Sequence, residues 1–193
     1  MLLLSEKLKN VPIMSLQTGT ELAQTTDVII DPRTLSIYAF YVNGQQIDHQ
    51  PSVLHAEDIR EAGELGFIID DSSKIMELDG LVRLQEIIDY AFVIFSSIVV
   101  DRSGKKLGKV TDFSFDPMSF TIQQIYIQQP LLRSFSSASN IVHRSQIISV
   151  SKAKIVVDTP TIQDPAINET ETGSTFVNPF RAQSPQLDQT DKN

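Results

Sequence analysis

Gly104-Lys105-Lys106-Leu107-Gly108, continuing through Thr111-Asp112 to Asp116-Pro117, repeats an earlier part of the same chain. Shifted by 85 residues, it meets Gly19-Thr20-Glu21-Leu22-Ala23, then Thr26-Asp27 and Asp31-Pro32. The correspondence runs on without a gap, with Leu35 falling on Phe120, Ile37 on Ile122 and Phe40-Tyr41-Val42 on Ile125-Tyr126-Ile127. A shift of 88 then pairs Val53-Leu54-His55 with Ile141-Val142-His143, Ile59 with Ile147 and Phe67-Ile68-Ile69-Asp70 with Ile155-Val156-Val157-Asp158. One change of loop length across about 55 aligned positions identifies two copies of one module.

Each copy reads as short strands and turns. In the second, the β-branched run Ile98 to Val100 is followed by Asp101-Arg102-Ser103-Gly104, whose polar residues and glycine suit a tight turn. Phe113-Ser114-Phe115 alternates apolar and polar, as a strand with one wet face does. Asp116-Pro117 ends it, the aspartate accepting a nearby backbone N–H and the proline presetting φ. The returning segment Phe120 to Ile127 shifts phase at Gln123-Gln124, which calls for a β-bulge there, and the first copy shifts at Ala39-Phe40.

Five or so short strands in about 65 residues leave apolar area that a flat open sheet does not cover, so closure into a small barrel is expected of each copy. Between the copies, Leu81, Leu84, Ile87 and Ile88 recur at helical spacing after Asp79-Gly80. They predict a short amphipathic helix over 79–90 that packs the barrels together. From Thr159 onward the chain holds four of its nine prolines and few apolar residues. Such a segment lacks the apolar surface to offset an ordering entropy of about 1 to 2 kcal/mol per residue. The expected organisation is all-β: a first barrel over 1–78, a helical linker over 79–90, a second barrel over 91–158 and a disordered tail over 159–193.

The run Ile98-Val99-Val100-Asp101-Arg102-Ser103-Gly104-Lys105-Lys106-Leu107-Gly108-Lys109-Val110-Thr111-Asp112, with Asp116-Pro117 and Ile155-Val156-Val157-Asp158, resembles the PRC-barrel family. That module occurs in the H subunit of photosynthetic reaction centres and at the C-terminal end of a ribosome maturation factor. The first copy matches more loosely, with Ala23 in place of the glycine after the leucine and Thr25 in place of the following valine. The resemblance covers about residues 8 to 158 and implies tandem PRC-type barrels acting as interaction modules. The maturation factor joins its barrel to a different, RNA-related domain, whereas here the neighbour is a second barrel.

Few residues offer reaction chemistry. With no cysteine there is no disulfide, thiolate nucleophile or Cys-based metal site. Asp27 with Asp31, and Asp112 with Asp116, are spaced by four along a strand, about 13 Å. A catalytic carboxylate pair needs about 5 to 10 Å, so these aspartates read as turn formers. His55 and His143 occupy equivalent places with only Glu57 and Asp58 nearby, too few groups for a metal centre. No Gly-x-Ser-x-Gly elbow or phosphate-cradling glycine loop is present. The expectation is a protein without catalytic residues, metal or cofactor.

Charge is more informative. Residues 1–90 carry 6 basic and 15 acidic side chains, a net charge of −9, while residues 91–158 carry 8 and 4, a net charge of +4. The overall −8 thus hides a basic second module, with Arg102, Lys105, Lys106 and Lys109 clustered and Arg133, Arg144, Lys152 and Lys154 elsewhere. Of these, Arg102, Lys105, Lys106, Lys109, Arg133 and Arg144 are the candidate binding residues, suited to RNA phosphates or an acidic protein face, the plainer reading being solvated turn cations. A third use is mutual: the acidic module of one molecule against the basic module of another. In the tail, Phe176-Val177-Asn178-Pro179-Phe180-Arg181 is an apolar island of the kind that docks on a partner, with Phe176, Asn178, Pro179 and Phe180 as its candidate contacts.

Met1-Leu2-Leu3-Leu4 turns polar at Ser5, shorter than the roughly 7 to 15 apolar residues at the centre of an export signal. The most apolar run, Tyr90 to Val100, falls short of the roughly 20 residues of a membrane span. The sequence therefore predicts a cytoplasmic, non-catalytic scaffold that binds a protein partner. The alternative is a ribosome- or RNA-associated maturation factor that uses the basic second module.

Overall fold

A computed structural model describes residues 1–45, 47, 49–63, 66–128 and 141–158. The first half contains β1 (Leu3–Leu4), β2 (Pro12–Ser15), β3 (Glu21–Asp31), β4 (Ser36–Asn43), β5 (Ser52–His55), β6 (Glu61–Gly63), β7 (Gly66–Ile69) and β8 (Ile75–Glu77). After α1 (Val82–Asp89) come β9 (Ile98–Asp101), β10 (Lys106–Asp116), β11 (Thr121–Gln128), β12 (Ile141–His143), β13 (Ile147–Ser151) and β14 (Lys154–Val157). With one α-helix among the described residues, the fold is all-β in class. The described residues up to Asp158 belong to one compact unit, and residues 159–193, where a disordered tail was expected, lie outside the described residues.

The sequence repeat is a repeat of hydrogen bonding. In the first half the order β5-β4-β3-β2-β7-β6 contains one parallel pair, β2 with β7; in the second, β12-β11-β10-β9-β14-β13 has its parallel pair at β9 with β14. Extra residues interrupt the ladders at Leu22, Thr26 and Tyr38, and again 85 positions on at Leu107, Thr111 and Gln123. The bulge expected at Gln123-Gln124 is therefore present, and its counterpart precedes Ala39-Phe40 by one residue. Gly19 and Gly104 open the two turns at φ +67° and +85°, where a Cβ is disfavoured. Leu35 and Phe120 also share a left-handed backbone, at φ 47° and 51°. For a bulky residue that conformation costs roughly 1 to 2 kcal/mol; both side chains are buried, and the burial offsets the strain.

The two halves meet at these residues. Ser36 pairs with Thr121, Ile37 N–H donates to the Phe120 carbonyl at 2.8 Å, and Ile122 N–H donates to the Leu35 carbonyl at 3.0 Å. The 85-residue shift exchanges the two bonds, so the halves are related by an approximate twofold axis. Phe120, from the second half, enters an aromatic group with Phe40 (5.5 Å between ring centroids) and Phe67 (5.6 Å) of the first, while stacking on Phe115 at 6.3 Å. One apolar cluster runs from Leu8 and Ile13 through Phe40 and Phe120 to Val99 and Val157.

In place of two separate closed barrels, the hydrogen-bonded path is open: it runs β13-β14-β9-β10-β11-β4-β3-β2-β7-β6, with β1, β5, β8 and β12 attached beside it. The strands at the open margins are only three to five residues long, and each half covers its interior partly with the other. The segment before each module crosses to the opposite half. β1 pairs with β10, Leu3 opposite Phe115, while α1 lies on the first half, where Leu84 and Ile87 bury Ile29, Ala39 and Val53. The helix thus covers a sheet face of the first half instead of packing between the halves, and it begins at Val82 because Gly80 takes φ +84°.

Candidate functional site

Asp101 organises the basic turn. One carboxylate oxygen accepts the Ser103 hydroxyl (2.6 Å) and the N–H groups of Ser103 and Lys105 (both 2.9 Å). These bonds, the Ser103 hydroxyl foremost, hold the carboxyl below its usual pKa. The turn closes at Lys105, whose carbonyl accepts the Asp101 N–H at 3.0 Å, and delivers Lys106 to the start of β10. Arg102 turns to Asp158, at 2.9 Å, so its charge is met within the chain.

From there the register sets a pattern that the linear sequence hides. Lys109 lies opposite Ile98, and Ile98 opposite Lys154, so β10, β9 and β14 carry Lys-Ile-Lys in one row, continued by Gln128 and Ser151 at its ends. All five of those side chains are exposed. The next row is Lys106, Val100, Val156 and Ser149. Directly paired residues point to the same side of a sheet, and Val99 and Ile155, which alternate with these, are fully buried in the core. The result is an outward face with an apolar centre and lysines at Lys106, Lys109 and Lys154.

The equivalent face of the first half has the opposite sign. Its corresponding row is Glu21, Met14, Ile68 and Glu61, across β3, β2, β7 and β6. Both glutamates are exposed and both central residues half-buried. Gly66 stands where the second half has Lys154, and a Cβ there would lie 2.1 Å from the Pro12 carbonyl oxygen. No side chain fits at that place, so the first half lacks a counterpart of Lys154 in the neighbouring row.

The remaining predicted residues separate. Arg144 leaves the basic group for the junction: its guanidinium donates to the carbonyls of Thr34 (2.5 Å), Leu35 (3.1 Å) and Ile122 (3.3 Å). Arg133 and the tail residues Phe176, Asn178, Pro179 and Phe180 lie outside the described residues. His143 caps the short turn Arg144–Gln146, with its backbone N–H donating to Gln146 Oε1 at 2.9 Å. His55 rests edge-on against Tyr38.

Of the paired aspartates, Asp31 and Asp116 are turn formers, whereas Asp27 and Asp112 lie inside β3 and β10, where each accepts the next residue's N–H and Asp112 also the Ser5 hydroxyl (2.5 Å). Asp31 accepts Arg33 N–H, and Asp116 accepts Met118 N–H (3.1 Å) and the Ser119 hydroxyl (2.9 Å). The backbone bond from Met118, then the Ser119 hydroxyl, lowers the Asp116 pKa. Among the described residues, no group of three His, Asp or Glu side chains is gathered as a metal would need. A cleft of about 310 Å³ lies beside the turn after β2, lined by hydroxyls including those of Ser15, Thr18, Thr20 and Ser52; Ser15 and Ser52 donate to backbone carbonyls. No helix among the described residues is long and apolar enough to cross a membrane.

Sequence reasoning found Lys106 and Lys109 but not the role of Glu21, Glu61 and Lys154 in matching rows. The 88-residue correspondence contained that signal, since strand pairing carried from one copy to the other aligns the rows. Compared with known proteins, the sequence matches no family model, and no curated protein resembles it significantly.

Proposed function

We propose that the chain is a non-catalytic scaffold of the cytoplasm, two PRC-type barrel modules fused through one core, which recognises a protein partner at a sheet edge. The observation that carries this reading is β13. It ends the hydrogen-bonded path, pairs only with β14 among the described residues, and exposes Ile148 at 49%. Five residues long, it holds no proline or charged residue, and its one ladder irregularity lies at Ile148, between the paired residues Ile147 and Ser149. An extended segment of a partner adds there as a further strand, with backbone bonds giving affinity and Ile148 a side-chain contact.

The test is affinity capture of the full chain from the cells that make it, at two salt concentrations, with and without nuclease, using wild type and Ile148→Lys. A small set of proteins retained in salt, indifferent to nuclease and lost with Ile148→Lys is the expected result. Repeated recovery of no partner, or of partners indifferent to the substitution, counts against the reading. The lysine rows favour a second one, a ribosome- or RNA-associated factor. It expects ribosomal proteins in the capture, released steeply by salt as counterions replace phosphate contacts.

A further inference from the structure

We propose that the lysine face of the second half docks on the glutamate face of the first half of another copy of this chain. The two faces occupy the same place in the repeated fold. Each presents a short apolar centre, Ile98 and Val156 in one and Met14 and Ile68 in the other. Around those centres the charges are opposite: Lys106, Lys109 and Lys154 against Glu21 and Glu61. Ion pairs within the chain, where they form, involve other residues: Arg60 with Asp70, Lys74 with Asp58, Arg102 with Asp158. Among the described residues, Glu21 accepts a hydrogen bond from the Gln24 amide at 2.8 Å and forms no ion pair.

The faces lie far apart in the strand order, β14 and β9 toward one end and β2 and β7 toward the other, so one chain does not satisfy both with each other. A second copy does. Because the surfaces in contact differ, the contact is heterologous, and each added copy leaves one lysine face and one glutamate face free. Growth therefore continues to short chains or closes as a ring. Exposed charges are screened over roughly 8 Å at physiological salt, which makes the association weak and salt-dependent. This inference rests on the paired rows and stands whether or not the PRC resemblance or the β13 edge is correct.

Sedimentation of the purified, nuclease-treated full chain across a concentration series tests it, at about 20 mM and about 500 mM salt. Average mass is expected to rise with concentration at low salt and return to the monomer at high salt. Lys106→Glu/Lys154→Glu and Glu21→Lys/Glu61→Lys should each weaken self-association about tenfold or more, as like charges then face one another. Mixing the two variants should restore it, because each retains the face that the other needs. That recovery also shows that both variants are folded. A wild-type chain that is monomeric throughout, or association unchanged by the substitutions and not restored by mixing, overturns the proposal. Association that disappears with nuclease treatment also overturns it and assigns the lysine face to nucleic acid.

Discussion

In the first half, Ile29, Ala39 and Val53 lie beneath α1, whose Leu84 and Ile87 are buried against them. In the second half the same positions hold Ser114, Gln124 and Ile141, and no helix among the described residues covers them. There the side chains bond among themselves: Ser114 Oγ donates to Gln124 Oε1 at 3.3 Å, as does the Tyr126 hydroxyl at 3.2 Å. The long strands beneath, β3 and β4, match β10 and β11 residue for residue, bulges included. Duplication preserved the ladders and the interior, because a misplaced bulge turns every following side chain to the wrong side. What lies outside that interior differs: apolar under a helix in one half, hydrogen-bonded polar groups at the same places in the other, acidic on one outer face and basic on its counterpart. The fold is held by what the halves share, and the halves differ in what they expose.

The comparison breaks most severely at Phe120, where one half is packed into the other. Phe120→Ala should cost about 3 to 5 kcal/mol, the usual loss for a buried phenylalanine. Denaturant unfolding should show one transition moving as a whole, since the core is continuous; two separated transitions would mean that the halves fold independently. Leu84→Ala tests the helix-covered face and should cost about 2 to 5 kcal/mol. Ile141→Ala, on the uncovered face at 37% exposure, should stay within about 0.5 kcal/mol.

Arg144 has no counterpart in the first half, where the repeat places Ala56. Arg144→Met should cost about 1 to 3 kcal/mol by leaving the Thr34, Leu35 and Ile122 carbonyls without that donor. Thermal melts of this variant should shift while the glutamate-face variants do not. The smallest effect concerns the turn aspartates. Asp101 and Asp116 have pKa values lowered by hydrogen bonds made in the fold, so folding favours their ionised forms. The stability they contribute is present above the usual carboxylate value of 3.8 and is lost as pH falls through the lower folded value. Asp101→Asn and Asp116→Asn should each lower the melting temperature slightly near neutrality. The gap from wild type should close below about pH 4, which a pH series of melts measures.

Much of this was legible beforehand for definite reasons. Asp-Pro and Gly at fixed offsets mark turns because few residues adopt those backbone angles, and the phase shift at Gln123-Gln124 marks a bulge because strand side chains alternate strictly. The helix was legible from its spacing, and its start was misplaced by three residues where Gly80 leaves helical geometry. Its destination was not legible, since an apolar stripe states that something is covered without stating what. Arg144 looked like one more surface cation, and only the approach of the first hairpin's carbonyls made it a junction residue.

The sequence by itself determined the duplication, the strand class, the turns and the opposite charges of the two halves, because these depend on local backbone preference, alternation and composition. Tertiary structure alone decided that the ladder stays open, that Phe120 completes the other half's core, and that lysines on β10 and β14, far apart in the chain, stand in line across β9. Those facts depend on which strands meet and in what register, and long-range packing around one shared core sets both.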